Sequence, residues 1–465
     1  MAENAKNAKN AKNAKNAEDI AVDVVVAGAG ACGLVAGLRA SQNPDLVVAV
    51  LEKSTRDGCN AQVSSGSLAA GGTRFQAAAG IDDSPARHAA DILAENGDDR
   101  HRPLVEALTA AAPHYVHWIA DALGYPLEVG TDMTRHGISV PRLHTDPRRR
   151  GGGPLVSHLR GILAARPNVA LLDETPVTGL RVAGSGPGAR VIGVTARQNG
   201  TALTVSARTT VLATDGFAGN RALMREFCAG LGDPFHGGVS TATGDAVAWL
   251  RGLGAEFRNM GACLRHGQVT MHGTRVNPNL PWLGAVLVNT RGERFVDEQA
   301  HGYSGLAPHV AAQPNERALM VWDDEADLVA AHSEMMRDSA KAGALGSAAD
   351  LVSLARDVRM DQLRLERALE PIDGRRRLVA PFHYAWLTHG VLTTQGGAAI
   401  DTHGRVLRKD GSAVTGLRAG GGTAVGLAGP DSAGYSSGNG LLAAMGMGWI
   451  IGNDLAAGTG GGLPL

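Results

Sequence analysis

The sequence predicts an α/β protein: a parallel sheet crossed by helices and interrupted by an inserted α+β domain. Three observations carry that expectation. The apolar run Asp23-Val24-Val25-Val26 stops at Ala27-Gly28-Ala29-Gly30-Ala31-Cys32-Gly33. A second apolar run, Leu46 to Leu51, ends in Glu52-Lys53. Chain of the same texture, Val414 to Ala419 followed by Gly420-Gly421-Gly422, returns after a long and more charged stretch.

The elements follow in order. Residues 1–18, with Asn-Ala-Lys repeated from Asn4 to Lys15, have no apolar face to bury and read as a disordered tail. They also lack the apolar core of a secretory signal, which points to a cytoplasmic protein. Residues 22–26 and 46–51 read as parallel strands, with a crossing helix from about Gly30 to Gln42. Gly58 to Gly72 is polar and glycine-rich, a loop. Helical patterns cover Arg87–Glu95 and Leu104–Leu123, where Gly124 is a stop signal. Short extended runs occupy Val169–Leu172, Val191–Ala196, Thr204–Ala207 and Thr209–Ala213, the middle pair forming a hairpin at Asn199-Gly200. From Asn220 to about His383 the chain carries charged helices, Glu325–His332 and Leu351–Leu369, and isolated strands such as Ala285–Val288. A last helix runs from about Asn439 to Leu455. The expected domains are therefore the tail at 1–18, one domain at 19–235 and 386–465, and a second domain inserted between its halves at 236–385.

Composition narrows the function. The chain has 465 residues, enough for two or three cores, and 44 basic against 45 acidic residues, so no basic face is demanded and nucleic acid is not expected as a partner. No apolar run reaches the roughly 18 residues of a membrane span. Cys32, Cys59, Cys228 and Cys263 stand far apart without a CxxC pair, and the histidines form no HExxH pattern, so neither zinc nor a disulfide framework is indicated.

The glycines carry the chemistry. Gly28, Gly30 and Gly33 suit a tight turn, close approach to a pyrophosphate, and helix-on-strand packing. Amides at the start of the helix would face the phosphates. Glu52 ends the second strand where a carboxylate can accept from ribose hydroxyls. That acid disfavours NADP but leaves NAD and FAD open. The returning Gly420-Gly421-Gly422 and Ser436-Ser437-Gly438-Asn439-Gly440, ahead of a helix start, favour FAD: such a helix can aim its amides at a flavin carbonyl.

The chain resembles the fumarate reductase and 3-ketosteroid dehydrogenase group of FAD flavoproteins. The likeness lies in Val24–Lys53, Ser64-Ser65-Gly66, Val211–Phe217, Val288–Glu298 and Thr394–Gly440. Gly396-Gly397, Asp401, Arg405–Ser412 and Gly416-Leu417 are closer to the ketosteroid dehydrogenase branch. The resemblance implies a Rossmann-like, glutathione-reductase-like FAD domain with an inserted cap. It implies non-covalent FAD held by Gly28, Gly30, Ala31, Cys32, Gly33, Glu52, Lys53, Ser54, Asn60, Ser64, Ser65 and Gly66. Further FAD contacts would come from Val177, Ala213, Thr214, Asp215, Gly216, Asn220 and Asp245, and from Gly421, Gly422, Ser437, Gly438, Asn439, Leu441 and Leu442. It implies no metal, and an external electron acceptor such as a quinone, oxygen or a dye.

Departures from the group set the substrate. Where fumarate reductases carry an active arginine after the Arg-Phe segment, this chain has about Gly302, between His301 and Tyr303. Where they carry a carboxylate-gripping arginine before Gly-Gly-Asn, it has Tyr435. A dicarboxylate would need Arg142 or Arg265 as a substitute cation. Tyrosines suit desaturation beside a ketone, which needs a base, a carbonyl donor and a hydride acceptor. Tyr303 fits the base, with His301 close by, and Tyr435 fits the donor. Each tyrosine has the competing reading of a packed ring, and Ser436, Ser437 and Asn439 could cap the last helix instead. Arg294 and Glu298 read as organisers of the cap. The leading reading is thus an FAD-dependent ketone desaturase. An ene reductase of an unsaturated acid and a flavin-bearing electron carrier are the alternatives.

Overall fold

The computed structural model describes residues 19–131, 137–148, 151–232, 234–372, 374–430 and 434–458. The expected tail at 1–18 lies outside them. The chain forms two units, the first from residues up to 230, 238–263 and from 393 onward, the second from 231–237 and 264–392.

The first unit is built on an eight-stranded sheet. Its strands are β1 (Asp19–Ala27), β2 (Val48–Leu51), β3 (Val169–Leu172), β4 (Val177–Ala183), β5 (Arg190–Gln198), β6 (Thr201–Leu212), β7 (Arg405–Leu407) and β8 (Ala413–Ala419). The order is β7-β8-β5-β6-β1-β2-β3, with β4 beside β5 and β8 also pairing β6. β1, β2, β3, β6 and the end of β8 run parallel, in the register Val26↔Val50, Val26↔Val211 and Ala419↔Leu212. Both faces of these strands are covered, which is why they read as unbroken apolar runs. Val24, Val26, Val48 and Val50 face one core, whereas Val25, Ala49, Leu51 and Ala170 face another, closed by Val194, Ala196, Leu203 and Val205 of the β5–β6 hairpin.

The predicted hairpin is present, with Asn199 and Gly200 at φ 50° and 80°; two positive angles match the twist of the flanking strands. The two runs expected at 204–207 and 209–213 are one strand. β1 pairs it from Thr204 to Leu212, while β5 and then β8 hold its other edge.

Helix α1 (Ala31–Ala40) crosses from β1 to β2, α2 (Gly153–Ala164) leads into β3, and α3 (Asp245–Gly252) and α4 (Asn439–Ala456) join the same unit, as do the helices Pro85–Asn96 and Arg102–His117. Residues 238–263, expected in the cap, belong here. Ala246 and Leu250 of α3 join the first core, and Phe257–Arg258 pairs with Gly397–Ala398. α1 and α4 run parallel in close contact, because Gly448 and Gly452 of α4 bring its backbone onto Cys32 and onto Ala36 and Arg39.

The second unit holds a six-stranded sheet centred on Phe382–Thr394, which pairs with Ala318–Asp323, Gly346–Ala348 and Phe235–His236 and lies beside Cys263–Thr270. Leu287, Met320 and Trp322 face one core, Val286, Val288, Leu319 and Val321 the other. The expected helix at 351–369 is two, Leu351–Val358 and Gln362–Ala368, broken at Arg359 with φ 56°. Asp350 and Asp361 each cap one of them by accepting from Ser353 N and Arg364 N. Among the described residues no helix is long and apolar enough to cross a membrane.

Candidate functional site

The turn between β1 and α1 is fixed by what its glycines exclude. Gly28 sits at φ 101°, and a Cβ there would run into the carbonyl oxygen of Ala213. A Cβ on Gly33 would run into the carbonyl oxygen of Gly28. Gly30 differs. The nearest atom to a Cβ there is Cys59 Cβ at 3.7 Å, so the protein itself does not demand glycine. A surface left bare of side chain beside a helix start is what close approach of a phosphate requires. α1 has Gly30 as its N-cap, no side-chain cap and no acid in its first turn, so Ala31, Cys32 and Gly33 present uncancelled amides.

Glu52 braces this turn. Its Oε2 accepts from Ala29 N at 2.7 Å and its Oε1 from Ser54 N at 3.0 Å. Lys53 Nζ donates to Thr243 Oγ1 at 2.8 Å and Asp245 Oδ2 at 2.9 Å, bringing two predicted site residues together. Asn60 Nδ2 donates to Asp215 Oδ2 at 2.7 Å, and Asn60 Oδ1 accepts from Val239 N. Asp215 is held at φ 67° as the chain leaves β6 through Ala213 and Thr214, and Thr214 N donates to Thr423 Oγ1 at 2.9 Å. Gly216 and Gly422 allow these segments to touch: a Cβ on Gly422 would lie 2.6 Å from Gly216 N. Ser64 Oγ donates to Ala61 O and accepts from Gly66 N; Ser65 bonds Ser67. Gly421, at φ 61°, passes close to Cys32.

Asn220 joins this group through Thr243, whose carbonyl accepts from Asn220 Nδ2 at 2.9 Å, while Asn220 Oδ1 caps the helix Arg221–Phe227 by accepting from Ala222 N and Leu223 N. Val177 opens β4 opposite Ala196. Cys32 is buried, and burial pushes its thiol up to about 12; Cys59 is pushed up to about 11 for the same reason. Neither is an activated nucleophile.

The start of α4 supplies the other end. Its N-cap is Gly438 at φ 91° with no side-chain cap. Among the described residues, Ser436 Oγ and Asn439 Nδ2 are buried without a hydrogen-bond partner. Orphaned buried polar atoms are costly. Together with the bare surface at Gly30 they fit a bound dinucleotide. Leu442 is fully buried and Leu441 packs on the core, which anchors the helix behind them. Tyr435 Oη accepts from Gly440 N at 3.2 Å, so a first-turn amide of α4 fixes the phenol.

In the second unit, Tyr303 is the first residue of the helix Tyr303–Ala311 and stacks on His266, with centroids 4.7 Å apart and planes at 21°. His266 Nδ1 accepts from Gln268 N at 3.2 Å. Burial holds the Arg275 guanidinium below its ordinary value, and the charges of Tyr303 and Asp338 pull it back up. Arg275, which sequence reasoning missed, is therefore the cation within electrostatic reach of Tyr303. Nothing in its local sequence singles it out. His301 packs instead on His309, 4.5 Å away. Arg294 donates to both oxygens of Glu298, at 3.0 and 2.6 Å, and Glu298 accepts from Leu287 N, the organising role expected of the pair.

Arg142 is corrected. It is 1% exposed and held by Asp83 at 3.0 Å and Asp91 at 2.8 Å, so its charge is already spent inside the protein. His383 and His389 lie within the strand Phe382–Thr394, bonded to Asp324 and Glu316. Among the described residues no cluster of three or more His, Cys, Asp or Glu could hold a metal.

Residues 23–441 match the family described as FAD binding domain. The NADH:fumarate oxidoreductase of Klebsiella pneumoniae (strain 342) is 28% identical over 420 residues, covering 86% of this chain. This chain spans only 44% of that protein's length. An open-conformation flavocytochrome c3 fumarate reductase superposes with TM-score 0.80 at 24% identity, over 97% of this chain and 80% of that one. The 3-ketosteroid delta1-dehydrogenase of Sterolibacterium denitrificans superposes with TM-score 0.77 at 19% identity, over 94% and 99%.

Proposed function

The chain belongs to the FAD binding domain family, and from that premise we propose that it is an FAD-dependent dehydrogenase of cyclic ketones. It sets a C=C bond beside the carbonyl of an oxocyclohexane carboxylate or a 3-oxosteroid. When bound, FAD supplies the hydride acceptor. The residues that would hold it are the α1 amides, Glu52, Asn60, Asp215, Ser436 and Asn439.

The protein's own contribution is to move one proton and hold one oxygen. Tyr435 donates its phenolic hydrogen to the substrate carbonyl as charge grows there. Because Gly440 N already donates into the same oxygen, the phenol is both oriented and made a better donor. Tyr303 takes the proton from the carbon beside that carbonyl, aided by the positive charge of Arg275. The observation that carries this reading is the Tyr435–Gly440 bond at the head of α4, where the resembled fumarate reductases place an arginine. The sealed pair of carboxylates around Arg142 supports it, since a dicarboxylate loses one of its candidate cations.

Anaerobic mixing of the holoenzyme with these ketones, followed by flavin absorbance, tests the proposal. Bleaching is expected, and no bleaching with any cyclic ketone would sink it. The likeness to the Klebsiella NADH:fumarate oxidoreductase favours a second reading, an ene reductase of an unsaturated acid, which runs the same redox change in reverse. Rapid reoxidation of prereduced enzyme by an unsaturated acid would select it. The electrons leave to an external acceptor, a quinone, oxygen or a dye.

A further inference from the structure

Two cysteines 35 positions apart in sequence meet in the first unit. Cys228 Sγ and Cys263 Sγ lie 3.6 Å apart, and both are buried, Cys228 at 5% exposure and Cys263 at 0%. The backbones run side by side there: Cys228 Sγ also lies 3.5 Å from Met260 O, and a Cβ on Gly261 would stand 3.3 Å from Phe227 O. We propose that Cys228 and Cys263 are a redox-active dithiol that closes to a disulfide under a hydroperoxide.

A disulfide needs its sulfurs at about 2.05 Å, so closure asks the two sulfurs, now 3.6 Å apart, to approach by about 1.5 Å. The hydrogen bond from Cys263 lowers the Cys228 thiol, whereas burial raises Cys32 and Cys59. Cys228 is thus the sulfur to react first. Its thiolate attacks the terminal oxygen of the hydroperoxide, the O–O bond breaks, and Cys228 becomes a sulfenic acid as an alcohol leaves. The Cys263 sulfur then attacks the Cys228 sulfur and expels the hydroxyl as water. Two thiols and one hydroperoxide give one disulfide, one alcohol and one water; the sulfurs lose two electrons and the peroxide gains them. Each cysteine stands where the chain leaves the first unit, Cys228 just before residue 231 and Cys263 just before residue 264. The bond would therefore tie two of the chain's passages between units to each other. Simple packing of two small apolar side chains is the competing account.

Treatment of the full-length holoenzyme with hydrogen peroxide separates the two. The protein is alkylated under denaturing conditions and digested without reductant. The expected result is loss of two titratable thiols, restored by dithiothreitol, and one linked peptide pair carrying Cys228 and Cys263. Cys263→Ser should instead yield Cys228 trapped as a dimedone adduct. Alkylated, unlinked Cys228 and Cys263 after peroxide, or a link through Cys32 or Cys59, would overturn the proposal. The wild-type peptide map stands whether or not the serine variant folds.

Discussion

Gly30→Ala separates cofactor binding from folding at a single turn. The Gly30 backbone, at φ −76° and ψ −170°, is extended and open to alanine. The added methyl would have Cys59 Cβ as its nearest neighbour at 3.7 Å, an ordinary contact. Alanine is a poorer N-cap than glycine by up to about 1 kcal/mol, and a stiffer unfolded chain returns roughly 0.4–1 kcal/mol. The apoprotein should therefore unfold within about 1 kcal/mol of wild type. On the proposed reading FAD passes over that methyl, and forced overpacking costs about 1–3 kcal/mol, roughly 5- to 150-fold in affinity. Titration of apoprotein with FAD, read by quenching of flavin fluorescence, measures the affinity, and urea unfolding of the same sample measures the fold. Gly33→Ala is the contrast. Its methyl would overlap the Gly28 carbonyl oxygen and lie 3.2 Å from Val26 Cγ1, so the fold itself should fail. A Gly30→Ala protein that binds FAD as tightly as wild type would show that the pyrophosphate does not cross this turn.

Asn439→Leu removes a buried amide that lacks a protein partner, so apoprotein stability should hold or rise while FAD affinity falls by about 0.5–1.5 kcal/mol; loss of apoprotein stability instead would mean the amide serves the fold. Tyr435→Phe should slow ketone-driven flavin bleaching by about 100- to 1000-fold with FAD affinity unchanged, and Tyr303→Phe by about 100-fold or more; wild-type rates in single turnover would remove either residue from the reaction. Glu298→Gln, at a fully buried carboxylate, leaves the 13% exposed Arg294 facing a neutral group, at a cost of about 3 kcal/mol seen as a lower urea midpoint. Burial, with the Arg142 charge second, holds His88 down to about 3, and burial holds His144 to about 4. Below pH about 6.5 the unfolded chain takes up protons these histidines refuse, so stability is full above that pH and falls as it drops, by about 1.4 kcal/mol per pH unit for each. His88→Phe should flatten urea midpoints between pH 6 and 5 by one histidine's share; an unchanged slope counts against the assignment.

What was legible in the sequence was local. The β1-turn-α1-β2 unit declares itself because each glycine has a neighbour within a few residues, or a strand whose ending is visible. The Asn199-Gly200 hairpin is equally local. β6 was read as two runs because Arg208 interrupts its pattern with an exposed side chain; the ladder from β1 carries the strand through. The break at Arg359 was missed although Asp350 and Asp361 are both cap signals, since the apolar pattern continues past it. Phe382–Thr394 was passed over because its strand residues are mixed with His383, His389 and Gly390. Arg142, Arg275 and the Cys228–Cys263 pair depend on partners far away in the chain. Periodicity and spacing carry no trace of such contacts.

The return of the chain near its end has a mechanical reason. α1 and α4 run parallel, with Gly448 of α4 level with Cys32 of α1, so two positive helix ends face one way. Gly448 and Gly452 set their separation: a Cβ on Gly448 would press on the Cys32 carbonyl oxygen, and one on Gly452 on the Arg39 side chain and Ala36 backbone. Arg39 Nε donates to Asn453 Oδ1 at 2.6 Å, and Asn43 Nδ2 to the Ala456 carbonyl at 2.9 Å, fixing the register at the far end. The amides at Ala31 to Gly33 and those at Asn439 to Leu441 are therefore held as one rigid pair. On the proposed reading, a helix contributed by a later segment is a second anchoring point for a long cofactor without lengthening the first turn. That also explains why Tyr435, fastened to Gly440, is placed by the fold and not by the mobility of a loop.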